Sequence, residues 1–138
     1  MRPVVLSIIV ALSVALGGCS DAGPNLGTLD RPVQLAYQDQ VTLPDEELTI
    51  AFTALDEDSR CPIPATCIAA GQATINIALS KPDAPVEPRT LTLGPTAGSN
   101  VTSYQEYTIT LLKLVPYPRL GHQSLPTDDV ATLVVSKP

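Results

Sequence analysis

The sequence predicts an all-β fold, a single antiparallel β-sandwich, on three observations: apolar residues alternate with polar ones, prolines are spread along the chain, and turn-forming clusters separate the alternating runs. Fourteen prolines in 138 residues exclude long helices, because each removes a backbone donor and blocks the turn before it. Alternation at period two then sets which face of each strand is buried.

The clearest strand is Gln72 to Ser80, with Ala73, Ile75, Ile77 and Leu79 on one face and Thr74, Asn76, Ala78 and Ser80 on the other. Leu48 to Leu55 has the same character, with Leu48, Ile50, Phe52 and Ala54 directed inward. Shorter runs are Val33 to Tyr37, Gln40 to Leu43 and Arg89 to Leu93, the last with Leu91 and Leu93 inward. Tyr104 to Val115 begins with Tyr107, Ile109 and Leu111 on one face and then changes parity to Leu112 and Leu114, which a β-bulge near Leu111 explains. Ala131, Leu133 and Val135 mark a closing strand. Between the runs stand Pro44-Asp45-Glu46, Lys81 to Pro85, Gly94 to Gly98 and Pro116-Tyr117-Pro118, all turn chemistry. About seven strands at this spacing suit one domain over residues 32–138 with an immunoglobulin-like outline. The buried Trp and inter-sheet disulfide of that fold are not expected, since the chain has no Trp and its two downstream cysteines lie close together. Topology therefore stays open.

Residues 1–18 differ in kind. Arg2 and the amino terminus precede a run from Val4 to Leu16 interrupted only by two serines, and small residues follow. That is the layout of a secretory signal, and the run is too short for the ~20 apolar residues of a spanning helix. Leu16-Gly17-Gly18-Cys19 resembles the lipobox, whose cysteine receives diacylglycerol before cleavage. The resemblance implies that Cys19 is the lipid-attachment residue and that the chain is held to a membrane outside the cytoplasm. Residues 19–31 then read as a polar, Gly-containing tether. Ser20 stands where an aspartate would act as an inner-membrane retention signal, which favours the outer membrane in a cell that has one.

With Cys19 assigned to lipid, the other two cysteines form an even pair. Export places Cys61 and Cys67 in an oxidising compartment, with five residues between them, so a structural disulfide is expected. A zinc site lacks further ligands beyond the distant His122, and the spacing is not that of a redox Cys-x-x-Cys pair. No metal or cofactor is expected. From Cys19 onward seven Lys and Arg face fourteen Asp and Glu, a formal charge of −7. No basic run exists to neutralise phosphates, so nucleic acid and anionic headgroups are poor partners.

The densest chemistry runs from Asp56 to Ala73. Asp58-Ser59-Arg60-Cys61-Pro62, five residues between the cysteines, then Gly71-Gln72-Ala73 opening a strand resembles a group of uncharacterised bacterial lipoproteins, over roughly 42–136. In that group an aromatic commonly follows the second cysteine by two positions; here Ala69 stands there. The resemblance implies a small exported β domain and brings no established activity. Physically, the segment must turn tightly: Asp58 can accept backbone N–H groups in an Asx-type turn, Arg60 can pair with Asp58 or Asp56, and Gly71 supplies a left-handed conformation. The acids Asp56, Glu57 and Asp58 also offer hard oxygen ligands for calcium, without EF-hand spacing.

A second candidate is Pro116 to Asp129, a long loop holding Tyr117, Arg119, the lone His122, Ser124 and the pair Asp128 and Asp129. A hydrolase would use His122 as base for Ser124 with an acid as orienter, but no nucleophile-elbow motif accompanies them. The expectation is a non-enzymatic structural or binding module, with Asp56, Asp58, Arg60, Arg119 and His122 as candidate binding-loop residues and a cell-envelope protein as the candidate partner. A calcium-dependent or inhibitor-type binding domain, or a small hydrolase, are the alternatives.

Overall fold

The computed structural model describes residues 25–138. The signal segment 1–18 and Cys19 lie outside the described residues. Eight strands form: β1 (Val33–Ala36), β2 (Gln40–Leu43), β3 (Leu48–Asp58), β4 (Ala73–Ser80), β5 (Glu87–Leu93), β6 (Val101–Tyr104), β7 (Tyr107–Val115) and β8 (Val130–Ser136). Two four-stranded antiparallel sheets, in orders β2-β3-β4-β5 and β1-β8-β7-β6, pack as a sandwich. Their facing sides supply one core in which Leu35, Ile50, Phe52, Ile77, Ile109 and Leu133 are fully buried.

The alternation seen in the sequence produces this core. Ala73, Ile75, Ile77 and Leu79 are all fully buried, as are Leu48, Ile50 and Phe52. Departures occur where the ladder slips. Register shifts after Phe52 and after Leu55 turn Ala54 out of line, and it ends only half-buried. In β7 the shift falls between Leu111 and Lys113; Leu112 is the extra residue and faces solvent, while Leu111 and Leu114 both point inward. The bulge is where the sequence placed it, but Leu112 is not a core residue.

The strand count exceeds about seven by β6, of which only the last residue, Tyr104, falls in the run Tyr104 to Val115. Tyr104 pairs with Tyr107 across a two-residue turn, and Gln105 takes the positive φ of 52° that such a turn demands. No Gly, Asn or Pro announces it. Around the sandwich the strands follow one another in chain order, crossing between sheets from β1 to β2 and from β5 to β6. Backbone bonds tie the second crossing, Thr92 N–H donating to the Ser99 carbonyl (2.9 Å) and Leu111 N–H to that of Asn100 (2.8 Å).

The tether expected over 19–31 is shorter in its described part. Thr42 N–H donates to the Asn25 carbonyl (2.9 Å), Gly27 N–H to that of Thr42 (2.8 Å) and Asp30 N–H to that of Val135 (2.8 Å). Leu29 packs on the core. Residues 25–31 thus belong to the domain, because they satisfy and cover the free edge of β2, which would otherwise offer unpaired backbone groups.

This path fixes the two ends of the molecule. Asp58 pairs with Ala73 and Ala73 with Leu93, while Val115 pairs with Val130 and Val130 with Ala36. The β1–β2, β3–β4, β5–β6 and β7–β8 connections therefore gather at one end, here called the tip. Asn25 sits beside Thr42, which pairs with Thr49, nine residues of β3 from Asp58. The Asn25 side-chain Nδ2 also donates to the Gln34 carbonyl (3.1 Å), two residues before Ala36 at the tip end of β1, so Asn25 lies partway along the sandwich. The far end is closed by a polar network: the Tyr107 hydroxyl donates to Glu46 (2.7 Å), and Lys137 bridges Glu46 (3.1 Å) and Glu106 (2.9 Å). The bond from Tyr107, followed by that from Lys137, holds the Glu46 carboxyl below its usual range.

Candidate functional site

The two segments singled out by sequence, 56–73 and 116–129, meet at the tip, where the first forms the end of β3, a loop over 59–72 and the first residue of β4. Ile63 N–H donates to the Pro118 carbonyl (3.1 Å) and Leu120 N–H returns to that of Ile63 (3.1 Å). A disulfide joins Cys61 and Cys67, with Cα atoms 5.9 Å apart, and Cys61 N–H donates to the Ala70 carbonyl (3.0 Å), which closes the base of the first loop. Replacing both cysteines with serine is expected to lower stability by no more than about 2 kcal/mol, since the closed loop is short and its two prolines already stiffen the unfolded chain; the denaturant midpoint reads this.

Arg60 fastens the loops together. Its Nε and Nη2 donate to the two oxygens of Asp58 (2.7 and 2.6 Å), its Nη1 to the Leu114 carbonyl (2.8 Å), and Nη2 again to the Pro116 carbonyl (3.0 Å). The guanidinium also lies 4.9 Å from the centre of the Tyr117 ring. One side chain from the first loop thus satisfies the end of β7 and the start of the second loop, and it is buried in doing so. Asp58 accepts the Arg60 backbone N–H as well, at 3.4 Å, the Asx-type geometry expected of it.

The acids Asp56, Glu57 and Asp58 do not converge. Asp56 accepts from the Asn76 side chain (2.7 Å), Glu57 from Ser59 (2.9 Å) and Gln72 (3.0 Å), and Asp58 from Arg60. Among the described residues no group of three His, Cys, Asp or Glu side chains could hold a metal ion. The geometry required by the calcium alternative is therefore not assembled. Asp56 stands apart from the tip's clasp, whereas Asp58, Arg60, Arg119 and His122 all lie within it. Ile63 is exposed in the disulfide loop, and its N–H and carbonyl are both bonded to the second loop.

Between the loops lies a cleft of about 230 Å³, walled by Leu55, Pro116 and Pro126, with Asp58, Asp129, His122 and Ser124 on its polar side. His122 also borders a shallower depression of about 310 Å³ with Ile63, Tyr117 and Arg119. His122 and Ser124 share both hollows, but among the described residues no hydrogen bond joins their side chains or links His122 to an acid.

Asp129 is the residue whose importance the sequence did not signal. It appears there as one of a pair of loop acids, yet it is 97% buried, while Asp128 is exposed and accepts the Leu125 backbone N–H at 3.3 Å. The Asp129 main chain is fixed on both sides: its N–H donates to the Pro126 carbonyl (3.2 Å) and its carbonyl accepts from Tyr37 N–H (2.8 Å). Among the described residues its carboxylate receives no hydrogen bond or ion pair. Burial pushes its pKa up, the Asp58 charge adds to this, and Arg60 opposes it. Because the folded state holds this proton more tightly than the unfolded chain, the side chain's contribution falls as pH rises from the ordinary aspartate range through the raised value. Asp129→Asn is therefore expected to stabilise the domain at neutral pH by about 1 kcal/mol and to leave acid stability unchanged, as thermal melts at two pH values will read.

Comparison with protein-family models, curated proteins and solved structures finds no match for this chain.

Proposed function

We propose that this chain is a lipid-anchored lipoprotein of the cell envelope, held to its membrane through Cys19, whose sandwich presents the tip as a non-enzymatic binding module. The observation that carries the binding role is the construction of the tip: two long loops are clasped into one preformed unit by Arg60 and by the paired backbone of Ile63. Loops fixed by a scaffold present a binding surface without a large ordering cost. Ile63, Tyr117, Leu120 and Leu125 are all exposed on these loops, and the cleft between them holds a buried acid without a partner.

The anchor rests on the lipobox resemblance, and the outer membrane is favoured by Ser20 in a cell with two membranes. The partner is then a protein of the same envelope; acidity makes nucleic acid a poor one. Two or three acyl chains, at about 0.8 kcal/mol per buried methylene, hold such a domain firmly. Cys19→Ser is expected to leave the precursor uncut and without acyl groups; a protein that still partitions with lipid after this change contradicts the anchor. For the tip, a photo-crosslinking side chain at Leu120 in intact cells is expected to yield a discrete adduct that the same group at Thr53, exposed on the outer face of β3, does not. Equal labelling from both positions contradicts the binding role.

A further inference from the structure

We infer that the cleft between the two loops is a receptor for a single organic cation, a guanidinium or an alkylammonium group, with the Asp129 carboxylate as its counter-charge. The inference rests on the reading of the tip as a binding surface and names the chemistry that surface takes.

Charge inside the cleft is unbalanced. Arg60 is fully engaged with Asp58 and with the carbonyls of Leu114 and Pro116, which neutralises Asp58 and leaves Asp129 without a cation. Asp129 is buried as a residue and its carboxylate has no donor among the described residues, yet its oxygens are not sealed off and they line the cleft, where a cation would pair with them. Its backbone is held by bonds to Tyr37 and Pro126, which fixes the point from which the side chain enters the cleft. The walls suit a cation on an alkyl stem. Leu55, Pro116 and Pro126 are apolar and would cover methylenes, while the charge reaches the acid beneath them. The volume, about 230 Å³, accommodates a guanidinium with a few methylenes and is small for anything larger. A metal ion is the poorer occupant, because no third carboxylate, His or Cys converges with Asp58 and Asp129 among the described residues.

Such a group reaches the cleft either as an Arg or Lys side chain of a protein or as a free amine. The test uses the full chain in non-ionic detergent, with backbone amide shifts of Asp58, His122 and Asp129 followed by NMR. Probes are butylguanidinium, butylammonium, the neutral N-butylurea, and an end-blocked Gly-Gly-Arg-Gly-Gly peptide. Saturable shifts with the cations, and binding of butylurea at least about tenfold weaker, are expected. Asp129→Asn is expected to remove that discrimination while melting no lower than the wild type. Asp58→Asn is not used, since it would release Arg60. Tighter binding of the peptide than of butylguanidinium assigns the site to a protein-borne side chain, and the reverse order to a free cation. Equal response to butylurea and butylguanidinium, no saturable response to either cation, or unaltered cation binding by Asp129→Asn overturns the inference. If that occurs while the Leu120 crosslink persists, the tip remains a binding surface for another chemistry; loss of both ends the reading on which the inference rests.

Discussion

Replacing Arg60 with alanine is expected to cost the domain about 3–5 kcal/mol and to separate the two loops of the tip. The guanidinium is nearly buried and makes four hydrogen bonds, two to Asp58 and one each to the Leu114 and Pro116 carbonyls. Truncation removes the side-chain donors of the Leu114 and Pro116 carbonyls and leaves the partly buried Asp58 carboxylate with only the Arg60 backbone N–H, which is why the loss exceeds that of an ordinary surface pair. Lysine does not rescue it, because a single ammonium cannot bridge Asp58 in fork geometry and reach two carbonyls on the other side. Denaturant unfolding of the two variants checks this. Arg60→Lys should lie well below the wild type, and a midpoint within experimental error of it would show that the clasp contributes little.

Gly71→Ala is expected to be about as damaging, with a loss of about 3 kcal/mol or more. Gly71 has a φ of 70°, and a Cβ built there would stand 1.7 Å from the Ser59 carbonyl oxygen and 2.5 Å from its carbon. Both are backbone atoms, so no rotamer change relieves the clash. The chain must move, and what it would break is the closure of the first loop: Ser59 N–H to the Gln72 carbonyl (2.7 Å) and Cys61 N–H to that of Ala70 (3.0 Å). By contrast, Gly98 also has a positive φ of 79° but nothing within 4 Å of an added Cβ, so alanine there meets only the conformational cost. A Gly71→Ala variant no less stable than Gly98→Ala would refute the close-packing account.

How far the sequence speaks depends on whether the signal is local. The inward faces of β3 and β4 were legible because alternation alone decides them, and so was the bulge in β7, where the apolar positions change parity between Leu111 and Leu112. The hairpin between β6 and β7 was not, since Gln105 in a left-handed conformation carries no turn signature and is held there by pairing on either side. Topology was equally silent, because strand order depends on which edges meet across the core. At the tip, the Asp58–Arg60 pair and the left-handed Gly71 were legible as a tight turn. What could not be read was the partner 54 residues away: Arg60 reaches the Leu114 carbonyl, and backbone acceptors leave no trace in side-chain identity. Asp129 illustrates the same limit, since its burial, beside backbone bonds to Tyr37 and Pro126, is what distinguishes it from the exposed Asp128, and neither is written in the sequence.

Amide hydrogen exchange at Ile63 and Leu120 tests the central claim, that the two loops form one preformed tip, more directly than any binding experiment. Their N–H groups donate across the junction, to the Pro118 and Ile63 carbonyls respectively. Both are expected to be protected in the wild-type chain and to lose protection together in Arg60→Ala at a temperature where the sheets remain folded. Exchange of both amides at unprotected rates in the wild type would mean that the loops move independently, and the tip would not exist as a unit.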